Sequence, residues 1–164
     1  MAMSGDAQKL FEDPKNFIFS DRSKTYNSVV KADIYFASEN MDFLVKETVN
    51  INQTMKDLPT ALFLKMLDGP MNGDYNTIIP DGTELLWAKT DKDICTLNLN
   101  KRFLENMPKD PSKEKLVIYA IVNSITSLEG IDKVQFLVEN SVYETFYSIN
   151  VSKPIEPDFS IVSE

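Results

Sequence analysis

The side chains most often used for catalysis and metal binding are nearly missing: the chain of 164 residues has no histidine and one cysteine, Cys95. That removes Ser-His-Asp and Cys-His catalysis, His-ligated metal centres and any disulfide within the chain. Carboxylates are plentiful but not arranged for chemistry. Asp91 and Asp93 share a bend, without the glycine and distal glutamate of a calcium loop. Glu47 is the acid that interrupts an otherwise apolar strand face, the setting in which a carboxyl pKa rises, yet no second carboxylate is placed to work with it. Cys95 sits in an alternating strand pattern and reads as a small buried apolar group. No catalytic, cofactor-binding or metal-binding residue is assigned, and the chain is read as not an enzyme. Two features remain. Asn123 stands on a helix that is otherwise apolar nearly all round, so its amide needs partners, expected from the backbone of the sheet or of a loop. Tyr143, Phe146 and Tyr147 are the candidate surface for a partner, or for stacking against a sugar ring.

Charge narrows the partners. Seventeen Lys and Arg against 25 Asp and Glu give a net charge of −8, which repels phosphate backbones and anionic headgroups, so no nucleic acid is expected. No apolar run of about 18 residues occurs. Membrane contact is therefore expected only through an anchor absent from this chain, which reads as soluble as given. With 43% hydrophobic and 10% aromatic residues the chain has enough apolar mass for one core.

The positioning elements follow from periodicity. Residues 1–28 read as an N-terminal tail or linker, partly docked through Phe11, Phe17, Ile18 and Phe19. Val30, Ala32, Ile34 and Phe36 alternate with polar neighbours as a strand, and Phe43 to Ile51 form its hairpin partner. Asp57 and Pro59 open a helix with a stripe of Leu58, Leu62 and Met66, and Gly69-Pro70 ends it. Pro80-Asp81-Gly82-Thr83 is a turn with Pro80 at its first central position. Leu85 to Ala88 and Ile94 to Asn100 form a second hairpin, followed by a short helical turn at Phe103 and Leu104. A helix from about Asp110 or Ser112 to Leu128 carries Leu116, Val117, Ile118, Ala120, Ile121, Val122 and Ile125 around most of its circumference and must be largely buried. Val134 to Val138 is a strand, and Tyr143 to Val151 has a similar odd-position pattern. The fold expected is α+β and two-layer, with two helices packed on one face of a mixed, mostly antiparallel sheet. The domain spans 29–157 and 158–164 is a C-terminal tail.

Taken in order, Ile34-Tyr35-Phe36, Leu67-Asp68-Gly69-Pro70, Ile79-Pro80-Asp81-Gly82-Thr83, Leu97-Asn98-Leu99-Asn100, Tyr119 to Thr126 with Asn123 inside it, Gly130-Ile131-Asp132-Lys133-Val134 and Val151-Ser152-Lys153-Pro154-Ile155 resemble the GerM domain family of sporulation and spore germination. Gly69, Pro70, Pro80, Gly82 and Asn123 are the structural residues of that pattern. Lys92-Asp93 and Glu139-Asn140-Ser141 depart from it at two turns where the family favours glycine. The resemblance implies an extracytoplasmic envelope domain, commonly tethered as a lipoprotein or by a membrane helix, with no catalytic residues and no cofactor. It implies a role in protein-protein assembly with envelope proteins; the alternative is a carbohydrate-binding module for the cell wall.

Overall fold

The computed structural model describes residues 29–53 and 57–163. The N-terminal segment 1–28, expected to be a partly docked tail, lies outside them. Strands β1 (Val29–Ala37) and β2 (Leu44–Asn52) form an antiparallel hairpin from Val29 opposite Asn52 to Ala37 opposite Leu44. Its connection is stabilised by Ser38, whose Oγ accepts from the amides of Asp42 (3.2 Å) and Phe43 (3.3 Å). Helix α1 (Leu58–Asp68) begins at Asp57, whose carboxylate accepts from the Thr60 amide at 2.8 Å, and ends at Gly69 in a positive φ of 93°. Strands β3 (Leu85–Asp91), β4 (Ile94–Leu99) and β5 (Lys133–Val138) make a second sheet, antiparallel between β3 and β4 and parallel between β4 and β5. The parallel pair needs a crossover, which α2 (Lys101–Glu105) and α3 (Pro111–Ile125) supply.

The class is α+β, as the element pattern implied. The strands, however, are divided between two sheets rather than one. The cause lies in α3. Its apolar residues run round the helix, and it packs on both β1 and β5, so each flank has a neighbour to bury against. On one flank it also closes the free edge of β1. Ser124 Oγ donates to the Ala120 carbonyl one turn back (2.6 Å) and accepts from the Tyr35 amide (2.8 Å). Ser127 Oγ likewise accepts from the Asp33 amide (3.0 Å) and donates to the Asp33 carbonyl (3.1 Å). At Asp33 and Tyr35 the backbone groups of this edge are taken by helix hydroxyls, and at Ala37 by a single bridge to Asn76, so among the described residues no further strand lies along it and the hairpin stays a sheet of its own.

Two local expectations are corrected. Tyr143 to Val151 is not a strand: only Thr145 and Asn150 bridge across its neck, and the residue that pairs with β5 at Val134 is Ile155. Tyr143, Ile149 and Val151 of the odd-numbered set do turn inward, but Phe146 joins them and Tyr147 is left outward, because the segment curls around a buried carboxylate described below. The Pro80 turn lies one residue later than expected. The Thr83 amide bonds the Pro80 carbonyl at 3.2 Å and Gly82 takes φ 81°, the third position of a turn that demands positive φ. The C-terminal residues are fastened to the domain: the Ser163 amide donates to the Leu44 carbonyl at 2.8 Å, and Phe159 meets the Tyr35 ring at 6.2 Å.

Candidate functional site

The candidate aromatic residues lie on the segment that leaves β5, and that segment is held at both ends. At its start Val138 and Ser141 exchange both backbone hydrogen bonds at 3.0 Å, which leaves Glu139 (φ 49°) and Asn140 (φ 68°) as a two-residue turn in left-handed backbone. Glycine is the usual solution there. Here the strain is offset by Asn98, fully buried on β4, which accepts from the Asn140 amide (2.8 Å) and donates Nδ2 to Asn140 Oδ1 (2.9 Å). Trp87 Nε1 adds a bond to the same oxygen at 3.3 Å, and the Glu139 carboxylate accepts from the Lys101 amide at the start of α2.

Of the three aromatic candidates, two are half-buried. The Phe146 ring meets Phe103 edge-on at 5.4 Å and Phe136 edge-on at 6.0 Å, while Phe103 and Phe136 lie nearly parallel at 6.1 Å. Tyr143 packs obliquely on Phe146 at 6.1 Å. Edge-to-face geometry of this kind adds about 0.5–1.5 kcal/mol per pair beyond area burial. Tyr147, next in the chain, is left outward and 46% exposed, with Val142 also exposed on the same segment.

Between Phe146 and Ile149 the chain wraps around Glu114, which is fully buried in the first turn of α3. The Tyr147 amide donates to Glu114 Oε2 at 2.9 Å, the Ser148 amide to Oε1 at 3.0 Å, the Ile149 amide to Oε1 at 3.2 Å and the Ser148 hydroxyl to Oε1 at 2.6 Å. A buried carboxylate is tolerated only when its lone pairs are filled, and these donors fill them, leaving none for proton transfer to a substrate. Sequence reasoning missed this residue. The signal was its helical spacing to Val117, Ile118 and Ile121, which places Glu114 on a buried face.

The remaining sequence candidates are structural in what they touch. Asn123, 1% exposed, clasps the C-terminal segment: Nδ2 donates to the Asp158 carbonyl at 2.9 Å and Oδ1 accepts from the Asp158 amide at 3.0 Å. Gly69 caps α1 with Pro70 after it, and Gly82 lies so close to Arg102 that an added Cβ would meet Nη1 at 3.1 Å. Glu47 accepts from the amides of Met71 and Asn72, both at 2.9 Å, and so serves the loop after α1. Cys95 is fully buried; desolvation, opposed by a hydrogen bond with Thr90 and aided by the Asp57 charge, pushes its thiol up to about 11. A cleft of about 440 Å³ between the first hairpin and the C-terminal residues is lined by Tyr35, Val45, Lys46, Tyr75, Val162 and Ser163, with no carboxylate among them. Among the described residues no group of three or more His, Cys, Asp or Glu side chains is placed to hold a metal, and no helix is long and apolar enough to cross a membrane.

The backbone is similar to solved structures. A candidate lipoprotein from Clostridium perfringens shares 26% identity with a TM-score of 0.57, over 79% of this chain and 88% of that one. The tandem GerMN domains of the sporulation protein GerM from Bacillus subtilis match at 20% identity and a TM-score of 0.65, covering 83% of this chain and 48% of theirs. The first GerMN domain of that protein alone matches at 18% identity and a TM-score of 0.58, over 79% and 96%. No curated protein matches the chain. The sequence profile of the Germane family, described by sporulation and spore germination, matches residues 33–144, and by that match across most of its folded length the chain belongs to the Germane family.

Proposed function

We propose that this domain is a noncatalytic docking module of the bacterial envelope, acting in protein-protein assembly connected with sporulation or germination, and that the segment from Glu139 to Val151 is its contact surface. The observation that supports this best is the way the segment is built. It is irregular, yet anchored at Asn98, at Glu114 and in the aromatic cluster, and it leaves Tyr147 and Val142 exposed. A rigid loop with an outward tyrosine loses little entropy on binding, which favours a protein contact. Its acidic net charge speaks against nucleic acid. The likeness to a candidate lipoprotein supports an extracytoplasmic setting and an anchor on the whole protein.

A sugar-binding surface would need more than one ring facing solvent side by side, and Phe146 faces the core. The test is Tyr147→Ala in the native cell, with formaldehyde crosslinking. Loss of the domain's protein adducts at unchanged thermal midpoint is expected. Adducts that persist unchanged would overturn the assignment of this surface.

A further inference from the structure

The turn at Tyr147–Ile149 has the form of an anion receptor: consecutive amides and one hydroxyl converge on a single point. In such concavities the backbone supplies positive partial charge to a bound anion. The anion here comes from the chain itself. Glu114 is fully buried, and among the described residues no lysine or arginine forms an ion pair with it. Its neighbours on α3 are committed elsewhere. Lys113 Nζ donates to the Met41 carbonyl at 2.7 Å, and Lys115 pairs with Asp158 at 3.6 Å. Compensation of the buried charge is therefore left to the loop amides and the first turn of the helix, and loop and carboxylate each need the other in place.

We infer that the 145–150 turn is a carboxylate receptor whose resident ligand is Glu114, making Glu114 the positioning residue that orders the turn and fixes the outward direction of Tyr147. The ordering of the turn stands on the geometry alone; its consequence for partner contact rests on the docking reading above. The side chain of Phe146 and the Thr145–Asn150 bridge hold the neck of the turn, but neither satisfies the three amides at its tip. Only an acceptor of carboxylate shape does so.

Removing the carboxylate while keeping the receptor provides the test. Glu114→Ala in the full chain is followed by amide exchange, with sodium formate or sodium chloride added at equal ionic strength. The amides of Tyr147, Ser148 and Ile149 are expected to exchange at least tenfold faster than in the parent, and those of β4 and the middle of α3 to keep their protection. Formate should restore at least threefold of the lost protection and chloride none. Unchanged exchange at the tip, or equal effects of formate and chloride, would overturn the inference. Should Glu114→Ala not fold, Ser148→Ala removes only the hydroxyl of an exposed residue; a twofold or greater rise in exchange at Tyr147 and Ile149 supports the inference and no change refutes it. A functional arm separates the two readings. If formate restores the ordered turn but Tyr147→Ala leaves partner adducts intact, the docking surface is wrong while the receptor stands.

Discussion

Replacing Asn123 by leucine isolates the clasp between α3 and the C-terminal segment. The side chain is 1% exposed and makes a matched pair of bonds with one residue, to the Asp158 carbonyl at 2.9 Å and from the Asp158 amide at 3.0 Å. Leucine is of similar size, so the change creates little cavity and removes both bonds together. Each is worth about 0.5–1.5 kcal/mol net, which sets the expected loss at about 1–3 kcal/mol. With a urea slope of about 1–3 kcal/mol per molar for a domain of this size, a loss near the middle of that range lowers the midpoint by about 1 M at unchanged slope. The partner is backbone, so Asp158→Ala keeps the clasp and loses only the ion pair with Lys115 and the Ser160 turn. Its cost should be the smaller of the two. An Asn123→Leu midpoint equal to the parent's, at equal slope, would show that the clasp contributes nothing and that the segment is held by its other contacts, the Leu44–Ser163 bond and the Phe159–Tyr35 pair among them.

Cys95 should resist thiol-specific reagents at pH 8 in the folded chain and react once denaturant is added, because the thiol is buried and its ionisation is pushed up to about 11; rapid native labelling would contradict its placement. Asp110, held below its ordinary 3.8 by the Ser112 hydroxyl and amide, stays ionised in the folded chain at pH values where the unfolded chain takes a proton. Its contribution is present above that ordinary value and is lost as pH falls through the lower folded one. Asp110→Asn keeps a capping oxygen and should flatten the fall of urea midpoint between pH 5 and pH 3, whereas an identical slope would remove Asp110 from the account. Lys92 occupies a positive φ of 59° in the β3–β4 turn, so Lys92→Gly should raise stability by about 0.5–1 kcal/mol in thermal or urea melts, and a lower midpoint would mean that the lysine side chain contributes there.

Much of this fold was legible from spacing alone. The cap at Asp57, the stop at Gly69 and the two hairpins stand where turn chemistry and alternation placed them, because those signals depend on neighbours in the chain. The all-round apolar character of α3 implied cover on more than one side, but strand patterns do not say which strands share a sheet. The division into two sheets depends on Ser124 and Ser127 reaching the edge of β1 about 90 residues away. The candidate site was only half legible. Tyr143, Phe146 and Tyr147 do lie together, yet the alternation that suggested a strand concealed a turn whose shape is dictated by Glu114. An acid in the first turn of a helix is favourable at the surface as well, so its position alone drew no notice.

The most direct test of the docking account is a photocrosslinking residue placed at Tyr147 of the full-length protein in its native cells, with the same residue at exposed Phe159 as the control position. The account predicts a discrete adduct at position 147, absent at 159, that is removed by protease and unaffected by muramidase. An adduct at 147 that muramidase removes and protease spares would contradict it and put cell-wall glycan in the partner's place.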